Sequence, residues 1–242
     1  MEHRSDARGP KGRIFYLREK YQIRTSILAL LCVVSSIFFP LSNVISETPE
    51  MWQVVVIEPE LISQVPHDDS AFTQGLEIHD GKFYESTGLY GESSIRIVNM
   101  STGQIDTQYN LSDDYFAEGL TIWNNSIIQL TWKENIAFIY DLDSLQQIGS
   151  ISYQGEGWGI CNYDENGLWL SDGSGHLRNS NNSTISFNNS LEVLLGGGPS
   201  ERWNELECID NNEYILANKW FDDSIYLIQT SNGYVCQKVD FS

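Results

Sequence analysis

Beyond residue 50 the chain alternates short apolar runs with brief polar turns, and these runs lack the spacing of an amphipathic helix. Residues 95–98, for example, alternate apolar and polar side chains as a half-buried strand does. Pairs such as Asp80-Gly81 and Asn124-Asn125 stand between neighbouring runs, where tight hairpin turns place residues of these types. The pattern therefore predicts many short strands joined by turns.

A short motif recurs along this pattern about every 40 residues. Its copies keep a small or apolar frame around one position that varies, and they are Phe72-Thr73-Gln74-Gly75-Leu76, Phe116-Ala117-Glu118-Gly119-Leu120, Gly157-Trp158-Gly159-Ile160 and Trp203-Asn204-Glu205-Leu206-Glu207. The variable position holds Gln, Glu, Trp and Asn in turn. A constant frame with a changing side chain predicts a ring of equivalent loops that bring different groups to one place.

Repeats of this length that are built from strands are typical of the blades of a β-propeller. Residues 50–242 provide roughly four such units. A leading run at residues 52–57 predicts a buried strand that would be one half of a split fifth blade. We therefore expect residues 47–242 to form an all-β domain, a five-bladed β-propeller whose last blade is incomplete.

The N-terminal part of the chain has the features of a membrane or export segment. Residues 26–45 are a nearly uncharged apolar run, long enough to cross a bilayer as a helix. Residues 1–24 hold seven of the 14 Lys and Arg residues, which predicts a cytoplasmic N-terminus. Residues 25–46 are therefore either a transmembrane anchor or the apolar region of a cleaved signal peptide. Both alternatives place residues 47–242 outside the cytoplasm, in a membrane-anchored or secreted protein.

The chain is strongly acidic, with 33 Asp and Glu residues against 14 Lys and Arg residues and a formal net charge of −19. This balance argues against nucleic acid as a partner, because phosphate binding relies on clustered Lys and Arg. It suits a cationic ligand such as the N-terminal ammonium group of a peptide, although an acidic surface also keeps a protein soluble. No spacing of Cys and His resembles a zinc site, so we expect no metal among the site residues.

Cysteines and glycosylation motifs agree with export. Cys161, Cys208 and Cys236 lie in the part predicted to be extracytoplasmic, and the sequence alone does not pair them. Asn-X-Ser/Thr sequons begin at Asn99, Asn110, Asn124, Asn181, Asn182 and Asn188. We therefore expect a glycoprotein in a host that has the glycosylation machinery.

A larger set of motifs follows in one order along the body of the chain. It comprises His67-Asp68, Phe72-Thr73-Gln74-Gly75-Leu76, Tyr84-Glu85-Ser86-Thr87-Gly88-Leu89-Tyr90-Gly91, Glu118-Gly119-Leu120-Thr121, Leu130-Thr131-Trp132-Lys133, Gly157-Trp158-Gly159, Ser171-Asp172-Gly173-Ser174 and Asn204-Glu205-Leu206-Glu207. Together these motifs resemble the plant and bacterial type of glutamine cyclotransferase, over about residues 50–240. The resemblance implies a five-bladed propeller enzyme that converts the N-terminal glutamine of peptides or proteins to pyroglutamate and releases ammonia. It implies no cofactor and no catalytic metal, because this type is unrelated to the zinc-dependent animal enzyme.

The resemblance also implies the residues of the active site. Glu118 would be the catalytic acid/base, and Gln74 and Asn204 would bind the substrate's amide or α-amine. The aromatic walls of the site would be formed by Trp132, Trp158, Trp220, Phe72 and Phe116. The reaction needs such groups, because the α-amine attacks the γ-carboxamide of the same residue and the side chain must be held curled. One carboxyl group can move both protons if burial raises its pKa, and aromatic walls provide that burial and attract the ammonium group.

The chain departs from this family pattern at its end. The pattern continues with a Thr-Gly-Lys … Trp-Pro motif that supplies an active-site lysine and closes the ring, and we find no such motif here. An incomplete fifth blade is the structural expectation. The functional alternative is a non-catalytic propeller that binds peptides or protein partners. We expect a monomer, unless a second chain completes the ring.

Overall fold

A computed structural model of the chain describes residues 14–15, 53–61, 64–163, 167–180, 186–187 and 189–241. Every regular element in these ranges is a β-strand. These ranges accordingly contain no helix long and apolar enough to cross a membrane. The predicted anchor or signal at residues 25–46 lies outside the described residues.

Three short strands precede the repeats, and they are β1 (Ile14–Phe15), β2 (Val55–Ile57) and β3 (Gln64–Val65). β1 pairs with β3 in antiparallel orientation. Two sheets of four strands follow, each formed by consecutive strands in chain order. Blade 1 consists of β4 (Thr73–His79), β5 (Lys82–Thr87), β6 (Ser94–Asn99) and β7 (Ile105–Asn110). Blade 2 consists of β8 (Ala117–Trp123), β9 (Ser126–Thr131), β10 (Ile136–Asp141) and β11 (Gln147–Ser152).

The second half of the chain repeats this plan. Blade 3 consists of β12 (Ile160–Asn162), β13 (Leu168–Leu170), β14 (His176–Ser180) and β15 (Asn189–Glu192). A small hairpin of β16 (Leu194–Leu195) and β17 (Gly198–Pro199) leads to blade 4, which contains β18 (Trp203–Ile209), β19 (Tyr214–Lys219), β20 (Ser224–Gln229) and β21 (Val235–Asp240). The first strands of the four blades, β4, β8, β12 and β18, contact one another in a ring. They are therefore the innermost strands, next to the propeller axis.

The hairpins between the first and second strands use the residues that the sequence pattern indicates. Asp80 and Gly81 have φ values of 46° and 73° in the turn from β4 to β5. Asn124 and Asn125 have φ values of 49° and 61° in the turn from β8 to β9. Two successive residues with positive φ form the turn that matches the twist of paired strands, and Asn, Asp and Gly tolerate this conformation best. The turn predictions are confirmed at these two positions.

The core lies between neighbouring blades rather than in one central cluster. Ile95 of blade 1 and Leu120 of blade 2 belong to one buried cluster, and Ile128 of blade 2 and Ile160 of blade 3 belong to the next. Blades 3 and 4 enclose Trp203, which is fully buried and donates its indole N–H to the Ser200 carbonyl at 2.8 Å. Each blade therefore stabilises the position of its neighbour.

The prediction of a β-propeller is confirmed, with four blades in the described residues. A fifth blade stays a prediction. The leading strand β2 adds to the outer edge of blade 4, where it pairs with β21 in parallel orientation. The prediction that this strand is buried was wrong, because an edge strand has open surface beside it: Val55 and Val56 are 44% and 62% exposed.

A disulfide links Cys161 of β12 to Cys208 of β18, the innermost strands of blades 3 and 4. The sequence had left the pairing of the cysteines open. The two cysteines are separated by 47 residues. A cross-link over a loop of that length restricts the unfolded chain and stabilises the folded state by about 4 kcal/mol in the chain-entropy model.

Candidate active site

Each polar residue of the recurring motif lies in a β-bulge at the start of an innermost strand. The strand pairing shifts register around Gln74 in β4, around Glu118 in β8 and around Asn204 in β18. A bulge leaves one residue outside the ladder and redirects its side chain, and bulges are frequent beside active sites. The motif therefore presents these three residues at equivalent points of three blades.

Glycine follows the polar residue because the innermost strands lie too close for a side chain. A Cβ atom at Gly75 would lie 2.6 Å from the backbone nitrogen of Leu120. A Cβ atom at Gly119 would lie 2.7 Å from the carbonyl oxygen of Trp158, which already accepts a hydrogen bond from the Gly119 N–H. This close approach brings the bulges of adjacent blades into contact.

Gln74 and Glu118 form the central polar contact of the site. The Gln74 Nε2 group donates to Glu118 Oε2 at 2.6 Å and so joins blade 1 to blade 2. Glu118 is only 5% exposed. The hydroxyl group of Ser86 donates to the Glu118 carbonyl at 2.5 Å, and Gln129 Nε2 donates to Ser86 Oγ at 2.8 Å. Both the backbone and the carboxyl group of Glu118 are therefore held by hydrogen bonds.

A first group of aromatic side chains packs around Phe116. Its ring centroid lies 6.3 Å from that of Phe72 and 5.6 Å from that of Trp132. Tyr90 completes the group at 5.5 Å, and its hydroxyl donates to Glu134 at 2.7 Å. These edge-to-face and tilted contacts are the arrangements that aromatic rings favour, so the group forms a firm wall.

A second aromatic group is joined to the first by one carboxylate. Trp158 and Trp220 meet edge to face with ring centroids 5.7 Å apart. Glu156 Oε2 accepts the indole N–H of Trp132 at 2.8 Å and that of Trp158 at 3.0 Å. Lys133 Nζ lies 3.7 Å above the ring of Trp132 and 3.7 Å from Glu156 Oε1. Glu156 therefore fixes one tryptophan of each wall in a common orientation.

Asn204 lies at the junction of blades 3 and 4. The Ser171 hydroxyl donates to the Asn204 carbonyl at 2.5 Å and accepts the Gly159 N–H at 2.7 Å. These bonds fix the backbone of the bulge. The predicted contact between Asn204 and a substrate stays a prediction.

The neighbour of Asn204 is a buried carboxyl group that the sequence did not single out. The Leu76 N–H of blade 1 donates to the carboxyl group of Glu205, whose Oε2 atom is buried without a hydrogen-bond partner. A Cβ atom on Gly119 would lie 2.5 Å from this oxygen. Burial raises the pKa of Glu205 well above its usual value, and the charges of Glu207, Glu118 and Glu77 add to the increase. Glu205 thus connects blade 4 to the bulges of blades 1 and 2.

A buried network supports the loop that carries Phe72 and Gln74. Glu85 Oε1 accepts the Thr73 hydroxyl at 2.6 Å and lies 2.7 Å from His67 Nε2. Arg96 pairs with Asp68 at 2.9 Å. The hydrogen bond to Glu85 raises the pKa of His67, although burial of the imidazole acts in the opposite direction. The network therefore attaches the start of β4 to β5.

The structure brings most of the predicted site residues into contact groups. Gln74 contacts Glu118 directly, Phe72 and Trp132 pack on Phe116, and Trp158 packs on Trp220. Glu156, Glu205 and His67 were missed as supporting residues. The placement of Glu156 between Gly155 and Gly157 could have indicated its role, because a charged residue in a tight glycine-rich loop is held close to neighbouring backbone.

Within the described residues no group of three or more His, Cys, Asp or Glu side chains is placed to hold a metal ion. The groups that the fold brings together at this site are a carboxyl group, an amide and aromatic rings.

The sequence profile of the glutamine cyclotransferase family matches residues 34–242. The chain belongs to this family. Glutaminyl-peptide cyclotransferase of Arabidopsis thaliana is 36% identical over 179 residues, which are 73% of this chain and 55% of the plant protein. The chain thus spans about half the length of this curated relative.

A solved bacterial glutaminyl cyclase has the same fold. The crystal structure of Myxococcus xanthus glutaminyl cyclase superimposes with a TM-score of 0.71 at 33% sequence identity, and the match covers 78% of each chain. The resemblance inferred from the ordered motifs is confirmed by these comparisons.

Proposed function

We propose that this member of the glutamine cyclotransferase family is a glutaminyl-peptide cyclotransferase, an acyltransferase that converts N-terminal glutamine to pyroglutamate and releases ammonia. The observation that carries the proposal is the 2.6 Å hydrogen bond between Gln74 and the buried carboxyl group of Glu118, beside two aromatic walls. The names of the plant and bacterial relatives support the same reaction. Peptides or proteins that begin with glutamine are the proposed substrates.

Glu118 would act as the acid/base of the reaction. The α-amine of the substrate attacks its own γ-carbonyl carbon, which forms the lactam C–N bond and a tetrahedral intermediate. Glu118 takes a proton from the attacking amine and delivers it to the departing amide nitrogen, and the C–N bond to ammonia then breaks. No water is consumed, so a site that is largely shielded from solvent suits this chemistry.

The neighbouring groups would orient the substrate. Gln74 holds the Glu118 carboxyl group and presents amide atoms to the substrate's amine or carboxamide, and Asn204 would do the same from blade 4. The indole faces of Trp132, Trp158 and Trp220 would attract the substrate ammonium through cation–π contact. An intramolecular cyclisation mainly requires that the α-amine and the γ-carboxamide of the substrate glutamine are held in contact.

The experiment that tests this proposal measures ammonia release and product mass with a Gln-initiated dipeptide amide. The wild-type chain is compared with Glu118→Gln and with Glu213→Gln, an exposed carboxylate in the turn between β18 and β19. We expect release by the wild type and by E213Q, with loss in E118Q. A folded wild-type protein that binds the peptide without releasing ammonia would support the non-catalytic propeller instead.

We propose export on the basis of the apolar N-terminal segment, the cysteines and the sequons, and two structural observations support it. The disulfide between Cys161 and Cys208 is typical of proteins that fold in an oxidising compartment. Asn110 and Asn124 are exposed at their sequons and so are open to glycosylation. Membrane fractionation and a glycosidase mobility shift test anchoring and glycosylation. Light scattering tests the proposed monomer.

A further inference from the structure

Two aromatic residues, Trp220 and Phe221, follow one another at the turn between β19 and β20. Only Trp220 belongs to the aromatic walls described above. Trp220 packs on Trp158 in the second aromatic wall. Phe221 is 62% exposed and packs on Trp220, with ring centroids 4.2 Å apart and an interplanar angle of 31°. Phe221 therefore extends the wall of the candidate active site toward solvent.

The backbone holds Phe221 in a conformation that its side chain does not favour. The Asp222 N–H donates to the Lys219 carbonyl at 3.1 Å, which closes a four-residue turn with Phe221 at its third position. Its φ of 64° lies in the left-handed region, where such a turn usually places Gly or Asn. A bulky residue with positive φ is uncommon, and such residues concentrate at ligand-binding sites.

Blade 2 carries a different residue at the equivalent position. Trp132 and Trp220 each donate their backbone N–H to the loop before the innermost strand of their own blade, at 2.9 Å in both cases. The residues that follow these tryptophans are Lys133, which lies over the ring of Trp132, and Phe221, which packs on the ring of Trp220. The edge of the site is thus cationic on the side of blade 2 and aromatic on the side of blade 4.

We propose that Phe221 forms the subsite for the second residue of the substrate and that it favours an apolar or aromatic side chain there. The inference rests on the proposed function, because it takes the first residue to lie beside Trp158 and Trp220. Consecutive Cα atoms of a peptide are about 3.8 Å apart. Because Phe221 packs directly on Trp220 and extends toward solvent, the residue that follows the first substrate residue can contact its ring.

The charges beside Phe221 add a second element of specificity. Asp222 and Asp223 follow it and are both exposed. Lys219, two residues before Phe221, donates to Ser200 Oγ at 2.8 Å. An acidic second residue would therefore be repelled, since like charges at close range cost affinity. The expected order of preference at this position is Phe, then Gly, then Asp.

The test compares the amides of Gln-Phe, Gln-Gly and Gln-Asp by kcat/KM of ammonia release. Phe221→Asn removes the ring with a residue that suits a left-handed backbone, and Phe221→Tyr keeps the ring. Ile148→Asn is the matched control, because Ile148 is also 62% exposed but lies on the outermost strand of blade 2. We expect the wild type, F221Y and I148N to prefer Gln-Phe over Gln-Gly by about 5- to 10-fold, and F221N to show equal values.

Binding of the products, the amides of pyroglutamyl-Phe and pyroglutamyl-Gly, is measured in parallel by calorimetry. A preference for the Phe product that disappears in F221N supports the subsite. If this preference is seen but no substrate is turned over, the proposed function is wrong and the subsite still stands. Turnover of Gln-Gly and Gln-Phe at equal rates, with F221N unchanged from wild type, overturns the subsite and leaves the proposed function standing. Equal binding of both products to the wild type also overturns the subsite.

Discussion

Gln74 donates its side-chain N–H to Glu118 Oε2 at 2.6 Å, across the boundary between blades 1 and 2. Both residues occupy the bulge at the start of an innermost strand. The contact therefore depends on the packing of two blades and not on the local sequence of either. It places an amide against the carboxyl group that we propose as acid/base, so each of these residues constrains the other.

Removal of the Gln74 side chain should lower kcat/KM by about 10- to 100-fold, because a hydrogen bond to a charged group contributes about 1.5–3 kcal/mol. Kinetics of Gln74→Ala with a Gln-initiated dipeptide measure this effect. Gln108→Ala is the matched control, since Gln108 lies exposed on the outermost strand β7. Equal losses in both variants, or none in either, would contradict a role for Gln74 in the site.

Glu156 should affect substrate binding more than turnover. Its Oε2 atom orients the indoles of Trp132 and Trp158, so Glu156→Ala leaves two indole N–H groups without their acceptor. We expect KM to rise about 10-fold with a much smaller change in kcat. Glu156→Gln retains an acceptor oxygen and should stay close to the wild type. If E156Q is as impaired as E156A, substrate binding depends on the negative charge of Glu156 and not on the orientation of the two indole rings.

The contribution of His67 to stability should depend on pH. The hydrogen bond to Glu85 raises the pKa of His67 above its usual 6.5 in the folded state, with Asp68 adding to the shift and Arg96 opposing it. The stabilisation is therefore complete below about pH 6.5 and is lost as the pH rises through the raised value. Thermal melting of wild type and His67→Gln should differ by several degrees near pH 6 and by less near pH 9. A difference that stays constant with pH would show that His67 acts only by packing.

Glu205 should also make the protein less stable as the pH rises, in this case starting from about pH 4.5. Its folded-state pKa is raised above 4.5, mainly by burial, so the unfolded chain loses this proton first and stability declines as the pH rises above 4.5. Glu205→Gln keeps an acceptor for the Leu76 N–H and lacks the titrating proton. The melting temperature of E205Q relative to wild type should therefore increase between about pH 5 and pH 9. A difference between the two melting temperatures that stays constant across this range would show that folding does not raise the pKa of Glu205.

The recurring motif allowed much of the site to be predicted, because its frame has a direct structural cause. The glycines of the motif are needed where innermost strands touch, as at Gly75 and Gly119. The varying residues, such as Gln74 and Glu118, occupy the bulges. The regular spacing of the motif in the sequence therefore corresponds to equivalent positions in successive blades. The same pattern also predicted the turns between strands.

Two of the supporting residues, Glu156 and Glu205, could not be predicted in the same way, since they act across blades. Glu156 accepts from two tryptophans that are 26 residues apart in sequence, and Glu205 contacts a strand of blade 1. Such contacts depend on how sheets pack and leave no periodic signal in one chain. The exposure of β2 was missed for a related reason: an apolar run indicates a strand, but it does not indicate whether another sheet covers that strand.

The most direct test of the account is the ratio of ammonia release by the wild-type chain to that by Glu118→Gln, with thermal melting to show that both are folded. Gln replaces the carboxyl group with a group of the same shape that cannot exchange a proton at neutral pH. The account predicts a loss of about 1,000-fold in kcat with little change in melting temperature. Release by folded E118Q at the wild-type rate would contradict the assignment of Glu118 as the acid/base.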